Sequence, residues 1–168
     1  MTDKADEIIE FFEGNKTVVY LDSNGFRTCG VGHLLPHNTT LQAGDSVTPD
    51  QVDEWYQQDK TNATARVSRT ILIPLQDYEL SALISQAFNL TSFEMLANHL
   101  QIQGRAVYKQ KSLLYCKDEK GKTFNGLLIR RISERLLFDN RYWKDIATSL
   151  QAKDSLSYTQ SLIPKLFP

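Results

Sequence analysis

The sequence is poor in cysteine and proline, nearly balanced in charge, and without a long apolar run. Two cysteines, Cys29 and Cys116, are too few for a disulfide framework or a structural zinc site. A reduced compartment is the default, with a single bridge left open. No stretch approaches the ~20 consecutive apolar residues that cross a bilayer. Five prolines and eight glycines are scattered and form no linker, and there is no internal repeat or low-complexity tract. A net charge of −1 and a pI near 6.3 argue against a dedicated nucleic-acid binder. The opening residues Met1-Thr2-Asp3-Lys4-Ala5-Asp6-Glu7 are polar and acidic, unlike a secretory signal. The 168 residues are 41% hydrophobic and 23% charged, the range of one soluble globular domain with a real core.

The balanced charge hides an asymmetry. Residues 1–60 carry 4 Lys and Arg against 11 Asp and Glu, while residues 101–146 carry 11 against 5. A basic stretch in an acidic chain often means an anionic partner, but on charge alone a solvated helical surface is the better reading.

Asp3 to Glu13 reads as a first helix, capped by Asp3 or Asp6, striped by Ile8, Ile9, Phe11 and Phe12, and closed by Gly14. Thr17–Leu21 and Phe26–Val31 have strand composition and flank the turn Ser23-Asn24-Gly25. Thr48-Pro49-Asp50-Gln51 opens a long helix to about Ser68, with Gln51 completing a capping box. Further helices are expected over Asp77–Leu90, from Thr91-Ser92-Phe93-Glu94 (with a second capping box), over Arg105–Leu114, Leu127–Phe138 and Tyr142–Leu150. Cys116 to Asn125 reads as an exposed loop. One hairpin followed by helices is an α+β pattern with segregated elements.

Three polar residues fall where the first helix meets the hairpin: Glu13, Asp22 and Thr28. A three-residue loop, a type I turn followed by Gly25 in the left-handed region, pairs Asp22 with Phe26 and Tyr20 with Thr28. Asp22 and Thr28 then share a face of the hairpin. A two-residue Asn-Gly turn would instead send Thr28 to the opposite face. Glu13 lies at the negative end of its helix beside Phe11 and Phe12, surroundings that disfavour a charged carboxylate. Asp22, at a solvated turn, is expected to stay ionised. Two carboxylates in unlike surroundings supply an acid and a base, as glycoside hydrolysis needs. An acid at a helix end and an Asp at a turn are also ordinary surface features.

Phe12-Glu13-Gly14, Tyr20-x-Asp22, Gly25 and Thr28-x-Gly30-Val31-Gly32-His33 together resemble the phage-type lysozymes, glycoside hydrolase family 24. The family pattern of Glu, eight residues, Asp or Cys, five residues, Thr fits Glu13, Asp22 and Thr28. Thr48-Pro49-Asp50-Gln51, Ala87-Phe88-Asn89 and Gly126-Leu127-Leu128-x-Arg130-Arg131-x-x-Glu134 extend the resemblance to about residue 143. It implies a mostly helical α+β lysozyme-like fold forming a single domain of residues 1–168. Within it, a hairpin-bearing lobe (1–60) and a helical lobe (70–168) are joined by the helix of about 48–68, with a cleft between the lobes. The substrate implied is the glycan strand of peptidoglycan, cut between N-acetylmuramic acid and N-acetylglucosamine with inversion. Glu13 would be the general acid, and Asp22 and Thr28 would hold the attacking water. Gly32, Leu34 and Phe88 would meet the sugars, although an aromatic at Phe88 also suits the core. His33 would brace the lobe. Arg131 would pair with Glu13, with Arg130 an equal candidate because the register is open.

No cofactor or metal is expected, and no membrane span. The resemblance implies a monomer made in the host bacterial cytoplasm and acting on the periplasmic wall, released by a holin or a secretion machine. An inhibitor or immunity protein as partner would mark a secreted antibacterial effector with the same chemistry. Two rival classes are a zinc amidase, for which Pro36 prevents a helix aligning His33 with His37, and a non-catalytic wall-binding module. Cys29 stands where the family usually has an aliphatic residue, and Ala152 to Pro168 has no counterpart in it.

Overall fold

The computed structural model describes residues 3–22, 25–117 and 121–168. Its elements in order are α1 (Lys4–Glu13), β1 (Lys16–Leu21), β2 (Arg27–Gly30), β3 (His33–Leu34), α2 (Pro49–Thr70), α3 (Asp77–Asn89), α4 (Phe93–Ser112), α5 (Asn125–Phe138), α6 (Lys144–Lys153) and α7 (Leu156–Leu166). The strands form one antiparallel sheet in the order β1-β2-β3. A mostly helical α+β fold is the architecture expected. The third strand is additional: Gly30 and Gly32, both at positive φ, fold the chain back after β2 so that His33 and Leu34 pair with Cys29 and Thr28.

Local chemistry sets most helix boundaries. The Asp3 carboxylate accepts the Ala5 N–H at 3.1 Å, and Gly14 at φ 69° closes α1. Thr48 caps α2 by accepting the Gln51 N–H, with Pro49 in the first turn. The Gln51 side chain reaches Glu54 instead of turning back to the cap, so the expected box is half made. The complete capping box is at Gln76 and Glu79, opening α3. Ser92 at the start of α4 makes no side-chain cap bond, against expectation. The two helices expected around Phe93 and Arg105 are the two helical runs of α4, which meet at a kink at Gly104, φ 83° and ψ 176°. The tail forms α6 and α7, and Leu156, Leu162, Ile163, Leu166 and Phe167 pack on the core.

Two apolar clusters organise the chain. The large one joins α1 through α6, with Leu83, Leu96, Leu100, Ile132 and Leu136 fully enclosed. Truncating Leu96 or Leu136 to Ala there would cost about 2–5 kcal/mol. The small one is Val19, Cys29 and Val52, edged by Leu35, Leu41, Val47 and Trp55, and belongs to the sheet and the start of α2. Cys29 and Cys116 are both free thiols within these clusters, and burial pushes each thiol's pKa up. Helix α1 buries Ala5, Ile8 and Ile9 in the large cluster, against α3 and α5. The residue at its C-terminal end, Glu13, is therefore delivered to the place where the sheet meets the helices.

Candidate active site

The hairpin register decides which side chains face together. Tyr20 pairs with Thr28, and Leu21 with Arg27. The Asp22 N–H donates to the Phe26 carbonyl at 2.9 Å and the Gly25 N–H to the Asp22 carbonyl at 3.0 Å, while Gly25 lies at φ 81°. This is the pairing of a three-residue loop, whose Ser23 and Asn24 lie outside the described residues. Tyr20, Asp22 and Thr28 accordingly share one face, opposite the face that packs Val19 and Cys29 into the small cluster. The Asp22 carboxylate accepts the Phe26 N–H at 2.8 Å. Thr28 is buried and its hydroxyl donates to the Phe26 carbonyl at 3.2 Å, which leaves the oxygen's lone pairs as acceptors.

Glu13, at the end of α1, lies beside Gly32 and within electrostatic reach of Tyr20 on this face. Its Oε1 accepts Arg130 Nη1 at 2.5 Å, and a Cβ placed on Gly32 would lie 3.0 Å from its Oε2. Tyr20 ties the two carboxylates together electrostatically: burial raises the pKa of its hydroxyl, and Glu13 and Asp22 each raise it further. The Arg130 guanidinium also lies 5.6 Å from the Phe12 ring centroid.

Two grooves meet at Glu13. One, of about 290 Å³, is lined by Gly32, His33, Leu34, Asp59, Arg66 and Phe88 among others. The other, of about 500 Å³, is lined by Glu13 itself with Phe12, Asn89, Phe124, Leu127 and Arg130 among others. Glu13 borders the second and touches Gly32 of the first. Leu34 is 58% exposed, so an apolar side chain stands open to solvent in the groove. Phe88 serves two surroundings at once, lining the groove and meeting the Tyr56 ring at 6.1 Å. His33 shares its Nδ1 with Asp59 Oδ2 at 2.7 Å and stacks on Trp55 at 4.9 Å, tying β3 to α2.

The expectation for Arg131 is corrected. Arg130, not Arg131, holds Glu13. Successive residues of a helix differ by about 100° in direction, so only one of the pair can face α1. Arg131 points into the core, where it is fully buried against Glu134 at 3.0 Å and Asn89 at 2.9 Å. Sequence reasoning also passed over Asp59, Trp55 and Ser85, and over the contacts that Glu134 makes with Ser85 and both arginines. Trp55 and Asp59 are four residues apart on α2, a spacing that puts an aromatic and a carboxylate on one helix face and offered a signal. Among the described residues no group of three or more His, Cys, Asp or Glu side chains converges to hold a metal, and no helix is long and apolar enough to cross a membrane.

Residues 10–134 match the model of the phage lysozyme family. The chain belongs to that family. It is 29% identical over 150 residues to an endolysin of Acyrthosiphon pisum secondary endosymbiont phage 1, covering 83% of this chain and 98% of that one. It is 29% identical over 131 residues to the endolysin of Salmonella phage P22, covering 75% and 88%. The solved endolysin of Escherichia coli O157:H7 phage FAHEc1 superposes with a TM-score of 0.73 at 27% identity, covering 84% of this chain and 94% of that one.

Proposed function

We propose that this protein hydrolyses the β-1,4 bond between N-acetylmuramic acid and N-acetylglucosamine in peptidoglycan, with inversion. The coarse activity, a peptidoglycan-degrading muramidase of phage type, comes with family membership. The observation that supports the finer reading is the meeting of two grooves at one carboxylic acid, with Asp22 and Thr28 sharing the sheet face beside it. Glu13 protonates the leaving oxygen. Asp22 and a lone pair of Thr28 accept hydrogen bonds from the two O–H groups of a water and aim its oxygen at the anomeric carbon from the opposite side of the ring; as the new C–O bond forms Asp22 takes one proton, and the other stays on the new hydroxyl. Thr28 is suited to this because its own proton is already committed to Phe26.

Gly32, Leu34 and Phe88 line the sugar path, Leu34 offering an apolar edge to a pyranose face. His33 holds the β3 side of the groove through Asp59 and makes no contact with the reacting atoms. We read residues 1–60 and 70–168 as two lobes joined by α2. The enzyme works as a monomer without a cofactor, is made in the bacterial cytoplasm, and reaches the wall through a holin or a secretion machine.

Mass analysis of digested peptidoglycan tests the bond assigned. Reducing-end muramic acid is expected; 1,6-anhydro ends or freed stem peptides would overturn it. Proton NMR of the first-formed anomer tests inversion, and the β configuration persisting in the product would reject it. Glu13→Gln is expected to lower turnover by about 10²–10⁴-fold with an unchanged melting temperature. Asp22→Asn and Thr28→Ala should each lose activity severely.

A further inference from the structure

Behind Glu13 lies a buried charge cluster with no access to the sugar. Glu134 and Arg131 are fully enclosed and Arg130 is 3% exposed. Glu134 Oε1 accepts Ser85 Oγ at 2.7 Å, Arg130 Nε at 3.2 Å and Arg131 Nη2 at 3.0 Å, and Oε2 lies 3.0 Å from Arg131 Nε. Arg130 thus has its Nε on Glu134 and its Nη1 on Glu13, and its Nη2 donates to the Ser85 carbonyl at 3.4 Å. One guanidinium bridges two carboxylates, one at the edge of a groove and one in the core.

The charges of the cluster make it an electrostatic unit. Arg130 and Arg131 balance Glu134 and Glu13, so the set is neutral only while Glu13 is ionised. Protonating Glu13 leaves one excess positive charge in a nearly dry site. The other groups facing the cluster do not titrate near neutral pH. Tyr108 of α4 donates to Gln86 at 2.7 Å, and burial pushes its hydroxyl up. Cys116, electrostatically coupled to Arg131, is pushed up by burial as well, and so is Tyr20, on the Glu13 side. Asn89, Ser85 and Gln86 of α3 carry no charge, and the charges of Asp22 and Arg135 act on Tyr20 and Tyr108 respectively.

We propose that Glu134 is a positioning residue for the reaction: it fixes Arg130 and offsets its charge, and thereby sets the pH at which Glu13 gives up its proton. Without the Glu134 charge, Arg130 would face Glu13 with its charge no longer offset, and the buried Arg131 charge behind it would add to the pull, favouring the ionised carboxylate at lower pH, where it can no longer serve as an acid. Glu134 touches no substrate, and its contribution passes through Arg130. The inference rests on Glu13 being the general acid, but its readout need not.

The test is a pair of titrations on the full chain. In Glu134→Gln, the high-pH limb of peptidoglycan hydrolysis should move to lower pH by about one unit or more, with KM within about twofold of the parent. The Glu13 carboxyl resonance, followed by ¹³C NMR against pH, should move with it. Glu134→Asp, which keeps the charge, should restore the parent limb. Ser85→Ala removes a neutral donor and leaves more of the Glu134 charge on Arg130, so its limb should move the opposite way, to higher pH. It carries the test if Glu134→Gln does not fold. An unshifted Glu13 titration in the folded variants overturns the inference. The NMR titration reads Glu13 whether or not peptidoglycan is cut, so failure of the assigned activity and failure of this inference are separate results.

Discussion

A methyl group on Gly32 would meet Glu13 Oε2 at 3.0 Å, on a residue held at φ 74°. Gly32→Ala therefore carries two penalties: a left-handed side chain, about 1–2 kcal/mol, and a displaced carboxylate. The first lowers the melting temperature and the second lowers turnover, and turnover should fall at least tenfold. Gly126 is the control, because a Cβ there meets nothing within 4 Å and its backbone is helical. Gly126→Ala should be stabilising by about 0.5 kcal/mol. Calorimetry and a wall-digestion assay on the two variants check both statements. Gly32 was legible in the sequence as a motif residue, but its contact with Glu13 was not. The same limit applied to Arg130 and Arg131. A run of two arginines states that one faces the acid; which one depends on a helix phase that adjacent positions do not encode. Asp22 and Thr28 were legible because a turn of fixed length sets parity by covalent geometry, and parity sets the face.

At the scale of elements, the break in α4 is the feature most at odds with its own sequence. Gly104 combines φ 83° with ψ 176°, a region open essentially to glycine alone. A Cβ there meets no atom within 4 Å, so the cost of substitution is purely in the backbone. Gly104→Ala should lose about 1–3 kcal/mol by denaturant titration, with wall hydrolysis unchanged at temperatures where the variant is folded. An unaltered midpoint would mean that α4 straightens without loss. Gly104 was the signal for the break, and the expectation of two helices on either side of it matches the two helical runs found there. The tail was harder to read. Leu156, Leu162, Ile163 and Leu166 pack on the large cluster, with α7 lying against α5, so α7 depends on contacts that local pattern cannot supply. The His33–Asp59 bond belongs to this scale also, since it joins β3 to α2. Asp59→Ala should cut turnover several-fold while costing only about 1 kcal/mol, the usual worth of one partly exposed hydrogen bond.

For the molecule as a whole, much of the positive charge over residues 101–146 is held in ion pairs. Arg105 pairs with Glu79, Arg130 and Arg131 with Glu134, Lys109 and Arg135 with Asp139, and Lys144 with Glu7. Half of these pairs are local to α5 and its end, Arg130 and Arg131 with Glu134 and Arg135 with Asp139, so the charge summed along the linear stretch says little about its surface. The same pairs predict how the fold meets acid. The Arg66 fork on Glu94 is the chief cause holding that carboxyl at about 2, and the Arg105 fork on Glu79 is the chief cause lowering the second. A carboxyl whose pKa is lower folded than unfolded contributes stability that is present above its unfolded pKa, near 4.5 here. That stability is lost as pH falls toward the folded value. Stability should therefore be level from pH 8 to about 5 with respect to these pairs, and decline between about 4.5 and 2. The two forks tie α2 and α3 to α4, and Arg66 also donates to the Ala87 and Thr91 carbonyls where α3 gives way to α4. Glu94→Gln should flatten more of that decline, because its carboxyl is the further displaced, and Glu79→Gln should lower the plateau more, because Glu79 is 4% exposed. Melting temperatures measured from pH 2 to 8 on the three proteins would decide it. Parallel curves would show that acid unfolds the chain through other groups.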